Sequence, residues 1–124
     1  MPSHILIVDD EAPIRELLQE LLSHTYGYRL SAVSDVEHAI KVVETDPPDL
    51  VITDLQLEES DGFELAERVK ALRPNLPILL VTGVLFDRQA LHDKIGNKID
   101  AYVEKTAPLA KILGEVQRLL AARR

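Results

Sequence analysis

Short apolar runs alternate with longer amphipathic stretches along all 124 residues, and this alternation constrains the fold more than any other feature. Runs rich in Val, Ile and Leu predict buried strands, and apolar residues spaced i, i+3, i+4 predict helices between them. The predicted strands are His4–Val8, Tyr28–Val33, Leu50–Thr53, Ile78–Thr82 and Ala101–Val103. Continuous apolar strands separated by helices indicate a parallel sheet that is covered on both faces.

Four of the intervening stretches have a clear apolar helix face. Pro13 and Pro108 suit first-turn positions, and Ser34 with Glu37 predicts a capping box. A weaker helix is predicted over Asp87–Ile95. The four clear faces are Ile14, Leu17, Leu18, Leu21 and Leu22; Val36, Ala39, Ile40 and Val43; Leu65, Ala66, Val69 and Leu72; and Ile112, Leu113, Val116, Leu119 and Leu120.

Five βα units with right-handed crossovers leave few topologies. We predict a single α/β domain over residues 1–124, a doubly wound (βα)5 parallel sheet of the flavodoxin-like type with strand order 2-1-3-4-5. In such a sheet the ligand site lies at the carboxyl ends of the strands, where strands 1 and 3 diverge. The carboxyl ends of the predicted strands are therefore the place to look for chemistry.

Composition excludes several classes of function. The net charge of −7 argues against direct nucleic-acid binding, and the absence of cysteine excludes disulfides and thiolate chemistry. The chain has no apolar run long enough to span a membrane and no recognisable signal peptide. We therefore expect a cytoplasmic protein with no membrane contact.

Polar residues follow the strands that flank the switch point. Strand 1 is followed by Asp9 and Asp10, strand 3 by Asp54, strand 4 ends at Thr82, and Lys105 follows the last strand. Carboxylates placed this close repel one another, and a hard divalent cation such as Mg²⁺ relieves that repulsion. A carboxylate beside such a cation and an ammonium group can attack phosphorus and form an acyl phosphate.

Taken singly, each of these residues has an ordinary structural interpretation. An Asp after a strand is most often a turn or helix-cap residue, Thr-Gly is a common turn, and a single Lys is usually solvated. The combination is more specific, and the chain resembles a response-regulator receiver domain of bacterial two-component signalling. The residues that carry the resemblance are Asp9, Asp10, Asp54, the Asp61-Gly62 turn, Thr82, Tyr102 and Lys105.

The resemblance implies a metal site in which Asp10 and Asp54 bind Mg²⁺ directly. The backbone carbonyl of Gln56 would be a third ligand, and Asp9 would contribute through water. Mn²⁺ would be an alternative metal.

The resemblance also implies that Asp54 is the phosphoacceptor and that Lys105 holds the phosphoryl group. Thr82 and Tyr102 would form the switch pair. The Thr82 hydroxyl would move to the phosphoryl group, and the Tyr102 ring would turn into the space left behind. The face made by the fourth predicted helix, the last strand and the last helix would then change conformation.

Three residues near the predicted site depart from the usual family pattern. Leu57 and Glu58 stand where Met-Pro is common, and Thr106 follows Lys105 where proline is usual. A cis bond without proline costs about 2.5–4 kcal/mol. We therefore expect either a trans Lys105–Thr106 bond with a shifted loop, or a strained cis bond.

The function implied is a phosphoryl-accepting switch without independent substrate turnover. The expected partners are a sensor histidine kinase or a histidine phosphotransfer protein and an unidentified downstream protein, and the chain would be a monomer or a weak homodimer. One alternative is a phosphorylation-independent interaction module with the same fold. Another is a phosphatase of the haloacid-dehalogenase type, but Gln56 stands where that enzyme needs its general acid.

Overall fold

The computed structural model describes residues 3–54, 57, 62–83 and 99–122, and within these it contains five strands and four helices. The predicted helix over Asp87–Ile95 lies outside the described residues. The elements are β1 (His4–Val8), α1 (Ala12–Tyr26), β2 (Arg29–Val33), α2 (Val36–Thr45), β3 (Leu50–Thr53), α3 (Gly62–Leu72), β4 (Ile78–Thr82), β5 (Ala101–Glu104) and α4 (Leu109–Ala122).

The five strands form one parallel sheet in the order β2-β1-β3-β4-β5. This confirms the predicted strand order and the α/β fold class. Val8 of β1 is in register with Thr53 of β3, and Thr82 of β4 is in register with Glu104 of β5. The residues that follow these positions are therefore delivered to one edge of the sheet.

Alternate side chains of the strands pack into two layers, one on each face of the sheet. The layer under α2 and α3 contains Leu6, Val51 and Ile78, and the layer under α1 and α4 contains Ile5, Ile52 and Leu79. All six of these side chains are buried. Because both faces are covered, the central strands β1, β3 and β4 are largely apolar, which is what made them recognisable in the sequence.

Two leucines predicted on helix faces are exposed. Leu17 of α1 and Leu72 of α3 are 45% and 46% exposed, whereas Leu18 and Leu22 of α1 are buried against the sheet. The predicted faces were too wide, because a helix lying on a sheet buries only the side chains that point toward the strands. Leu113 and Leu120 of α4 are partly buried at the border of the core.

Strand and helix ends differ from the prediction by single residues. Gly27 adopts a positive φ of 67° and ends α1, and β2 then begins at Arg29 rather than at Tyr28. Glycine suits this position because it has no side chain to oppose the left-handed conformation. At the other edge of the sheet, β5 extends to Glu104, one residue beyond its predicted end at Val103.

The starts of the helices confirm one prediction and correct two. Pro13 lies in the first turn of α1 as predicted. Pro108 instead precedes α4, and its carbonyl accepts a hydrogen bond from the backbone of Lys111 at 2.9 Å. The N-cap of α2 is Asp35 and not Ser34, and the Asp35 carboxylate accepts from the backbone N–H of His38 at 2.8 Å.

We expect Asp35→Ala to lower the free energy of unfolding by about 1 kcal/mol, the usual cost of losing an N-cap. The matched variant Ser34→Ala should change it far less. The backbone and ring hydrogen bonds of His38 lower the pKa of Asp35, so its contribution is present at neutral pH. That contribution should disappear as the pH falls through the lowered pKa. Urea unfolding of both variants at neutral and acidic pH tests this; equal losses in the two variants would contradict it.

None of the described helices is both long enough and apolar enough to cross a bilayer.

Candidate functional site

Two buried carboxylates lie side by side at the carboxyl edge of the sheet. Asp9 follows β1 and is 3% exposed, and Asp54 follows β3 and is 5% exposed. The backbone N–H of Asp54 donates to the carbonyl of Val8 at 3.1 Å, and that of Asp9 donates to Val33 at 3.1 Å. These bonds extend the parallel pairing by one residue beyond each strand and fix both carboxylates in place.

Four carboxylates converge at this position. One carboxylate oxygen from each of Asp9, Asp10, Glu11 and Asp54 lies within 4.8 Å of the others. Asp9 and Asp54 are the buried members, whereas Asp10 and Glu11 lie at the more exposed rim. At neutral pH such a group strongly attracts a cation.

The ammonium group of Lys105 bridges three of these carboxylates. Its Nζ lies 2.8 Å from Oδ2 of Asp54, 3.2 Å from Oε1 of Glu11 and 3.4 Å from Oδ2 of Asp9. The Lys105 side chain is 17% exposed. Because β5 ends in register with β4 at Glu104, the next residue reaches the site directly. The Lys105–Thr106 bond is trans, since no cis bond occurs among the described residues.

The loop between β1 and α1 is held by its own hydrogen bonds. Oδ1 of Asp9 accepts from the backbone N–H of Glu11 at 2.9 Å. Nη1 of Arg15, one turn into α1, donates to the carbonyl of Asp9 at 2.6 Å. Asp9 therefore uses Oδ1 to shape the loop and directs Oδ2 toward Lys105.

The site shifts the pKa values of two groups in directions that its geometry explains. Burial raises the pKa of Asp9, although the Glu11 N–H and the charge of Lys105 oppose that shift. Burial alone would lower the pKa of Lys105, but the hydrogen bond to Asp54 and the charge of Asp9 outweigh it and raise the pKa. The ammonium is therefore fully charged at neutral pH.

The donor set fits a hard divalent cation. It offers carboxylate oxygens at one point of the sheet edge, and three of the four carboxylates already bind the ammonium of Lys105. Mg²⁺ prefers oxygen ligands from a few carboxylates together with water, and partly exposed Asp10 leaves room for that water. Asp9, Asp10 and Asp54 are the residues that would hold it.

The structure brings together four of the residues predicted for the site: Asp9, Asp10, Asp54 and Lys105. Gln56, whose carbonyl was predicted as a ligand, lies outside the described residues. Thr82 ends β4 at the expected edge, but its side chain is outside the described part of the chain.

Tyr102 lies on β5 in register with Leu80 of β4. It is partly buried, and it packs with Leu80, Phe63 and Ile99. The ring is therefore on the α3 side of the sheet, whereas its neighbours Ala101 and Val103 face the layer of α1 and α4.

Two residues of the site were missed in the sequence. Glu11 joins the carboxylate group, and Arg15 holds the loop that carries it. The uninterrupted acidic run of Asp9, Asp10 and Glu11 was an available signal for the first. For Arg15, the sequence offered no indication of a role in the site other than its position one helical turn after that acidic run.

The chain matches the family described as the response regulator receiver domain over residues 5–117. The chain belongs to this family. Receiver domains typically bind Mg²⁺ at an acidic site of this kind.

This receiver is 30% identical to the response regulator MprA of Mycolicibacterium vanbaalenii over 123 residues, which is 97% of this chain and 51% of that protein. It is 40% identical over 83 residues to the alkaline phosphatase synthesis transcriptional regulatory protein PhoP of Bacillus subtilis, covering 67% of this chain and 34% of PhoP.

The receiver thus spans about half the length of MprA. Among solved structures, it is similar to a CheY-like receiver domain protein from Methanospirillum hungatei, with a TM-score of 0.89, 25% identity and coverage of 99% of this chain and 97% of the other. It is also similar to the response regulator TrrA from Thermotoga maritima in complex with Mg²⁺ and BeF, with a TM-score of 0.84, 32% identity and coverage of 94% and 98%.

Proposed function

We propose that this receiver accepts a phosphoryl group on Asp54 in a Mg²⁺-dependent reaction. One observation supports this most directly: the buried Asp54 carboxylate lies 2.8 Å from the ammonium of Lys105, within a group of four carboxylates. The arrangement holds a nucleophile, a cation for the incoming phosphoryl oxygens and a set of metal ligands at one point.

In the proposed reaction a carboxylate oxygen of Asp54 attacks the phosphorus of a phosphohistidine on a partner protein. The O–P bond forms as the P–N bond breaks, and the electron pair of that bond returns to the imidazole, which leaves as histidine. Lys105 binds a phosphoryl oxygen through Nζ and stabilises the negative charge of the transition state. The partner is a sensor histidine kinase or a histidine phosphotransfer protein, and the reaction takes place in the cytoplasm.

The metal would be bound by Asp10 and Asp54 directly, with the backbone carbonyl of Gln56 as a further ligand. Asp9 would act through water, in keeping with the use of its Oδ1 for the backbone of Glu11. Bound Mg²⁺ would neutralise charge on the transferred group, and Mn²⁺ has similar ligand preferences. The similar response regulator TrrA is in complex with Mg²⁺ and BeF, which supports Mg²⁺ as the metal proposed for this receiver.

We further propose that Thr82 and Tyr102 transmit the phosphorylated state. An acyl phosphate adds negative charge and acceptor oxygens at Asp54, and the Thr82 hydroxyl would turn toward it. Tyr102 already packs against Leu80 of the adjacent strand, so a movement at the end of β4 would reach its ring. The surface around β5 and α4 would then bind a downstream protein.

Intact mass spectrometry with a small phosphodonor tests the proposal. We expect one added phosphoryl group with phosphoramidate and Mg²⁺, and less than a tenth of that signal in EDTA. Replacing Mg²⁺ with Mn²⁺ should preserve it. An unmodified protein in saturating Mg²⁺, or equal modification in EDTA, would contradict the proposal.

A further inference from the structure

The side chain of Glu11 has no evident role in starting the helix that it precedes. Glu11 is the N-cap residue of α1, yet its carboxylate makes no capping hydrogen bond to that helix. Glutamate is not among the residues favoured at N-caps, where short side chains reach the first free N–H groups. Its carboxylate instead contacts Lys105, which is 94 positions away in the sequence.

Glu11 differs from the other carboxylates that contact Lys105. Its side chain is 59% exposed, whereas Asp9 and Asp54 are buried. The backbone N–H of Glu11 is bound by Oδ1 of Asp9, so the start of its side chain is fixed while the carboxylate end reaches the rim. Glu11 can therefore remain beside the ammonium if Lys105 is displaced outward.

Such a displacement is required if a divalent cation binds Asp54. Lys105 Nζ now lies 2.8 Å from Asp54 and 3.4 Å from Asp9. A divalent cation bound directly to Asp54, with Asp9 contacting it through water, repels the ammonium, which must then be solvated or find another carboxylate. Among the three carboxylates that it contacts, Glu11 is the one that is not buried.

We propose that Glu11 is a positioning residue that retains the Lys105 ammonium at the rim when a divalent cation binds Asp54 and Asp10. The proposal rests on the proposed function, because it assigns the acidic site to Mg²⁺. Glu11 thereby lowers the cost of moving Lys105 aside and holds the ammonium ready for a phosphoryl oxygen. It acts through Lys105 and has no role as a nucleophile.

The first experiment measures Mg²⁺ dissociation constants by calorimetry for the wild type, Glu11→Gln, Lys105→Met and the double variant. We expect Glu11→Gln to weaken Mg²⁺ binding about fivefold, the upper end for a partly exposed pair. In the Lys105→Met background, Glu11→Gln should change the Mg²⁺ dissociation constant by less than twofold. Equal effects in both backgrounds would show that Glu11 acts on the metal by its charge alone and would overturn the proposal.

The matched control is Glu16→Gln, which removes the same charge from an exposed position of α1, five residues further along the chain. It should leave the Mg²⁺ affinity within twofold of the wild type. A fivefold loss there would attribute the result to general surface charge and would overturn the proposal.

A second measurement keeps Lys105 intact and so does not depend on the folding of the Lys105→Met variant. The side-chain ¹⁵Nζ signal of Lys105 should stay protected from solvent exchange in saturating Mg²⁺ in the wild type. In Glu11→Gln we expect that protection to be lost when Mg²⁺ is added. Protection that persists in Glu11→Gln would overturn the proposal.

The phosphoryl-transfer proposal is tested separately, by the adduct that wild type forms with phosphoramidate. An adduct together with equal Glu11 effects in both backgrounds rejects only the role of Glu11. Coupling between Glu11 and Lys105 without any adduct supports the role of Glu11 in cation binding and rejects the phosphoacceptor assignment.

Discussion

Replacing Asp54 by asparagine is expected to abolish phosphoryl incorporation. The neutral amide has almost none of the nucleophilicity of a carboxylate, and no acyl phosphate can form on it. The substitution keeps the side-chain size, and Lys105 retains Asp9 and Glu11 as partners. We expect no adduct by intact mass spectrometry under conditions in which the wild type is fully modified.

A matched control is available at the amino-terminal ends of the strands, where Asp100 directly precedes β5. Asp100 also accepts a hydrogen bond from a lysine, Nζ of Lys70 at 2.9 Å, and from the backbone N–H of Ile78 at 2.8 Å. Asp100→Asn should therefore disturb a similar ion pair while leaving the adduct intact. An adduct of undiminished yield on Asp54→Asn would place the phosphoacceptor elsewhere and would exclude our assignment.

The same variant distinguishes a switch from an interaction module that needs no phosphorylation. If partner binding by the wild type changes with phosphodonor and Mg²⁺, whereas that of Asp54→Asn does not, the receiver acts as a switch. Binding that is identical for both proteins, with and without phosphodonor, would favour the module.

The sequence predicted the sheet and the centre of the site for a common physical reason. In a parallel sheet covered on both faces, the central strands are apolar runs, and each run ends where the chain reaches solvent at the carboxyl edge. Asp9 and Asp54 follow such runs directly, and Lys105 follows the run of β5 closely. Their convergence therefore followed from the strand order alone.

The features that the sequence left undetermined depend on single contacts. Ser34 and Asp35 are both good cap residues, and only the backbone geometry at the start of α2 selects Asp35. Leu17 fits a helical apolar pattern, but it is exposed, whereas its neighbour Leu18 is buried against the sheet. Glu11 joins the site because its side chain reaches Lys105 across the fold, and no local pattern records such a contact.

The second large effect concerns stability in the absence of metal. Lys105 offsets the charge of Asp9, Glu11 and Asp54, and its raised pKa means that this contribution is complete at neutral pH. Removing one partner of a largely buried ion pair leaves the other charges uncompensated. We therefore expect Lys105→Met to lower the free energy of unfolding by about 3 kcal/mol at neutral pH in EDTA.

The loss should become smaller as the pH falls. Without the ammonium, the buried Asp9 carboxylate loses the charge that opposes the rise of its pKa, so folding raises the pKa of Asp9 further in the variant. A carboxylate whose pKa is raised by folding destabilises the folded state at pH values above its pKa in the unfolded chain. This destabilisation disappears at lower pH, where the carboxylate is protonated in both states. Urea unfolding of wild type and variant from neutral to acidic pH should show the two stabilities converging.

Mg²⁺ should restore much of what Lys105→Met removes. A ligand at 100 times its dissociation constant stabilises the folded state by about 2.7 kcal/mol. In the variant no ammonium has to be displaced, so Mg²⁺ should bind more tightly and raise the melting temperature more than in the wild type.

The matched control is Lys70→Met, because the Lys70 side chain is 15% exposed and binds Asp100 far from the acidic site. Lys70→Met should be destabilised as well, but its response to Mg²⁺ should equal that of the wild type. An identical Mg²⁺ response in Lys105→Met and Lys70→Met would show that Lys105 does not compete with the cation for these carboxylates.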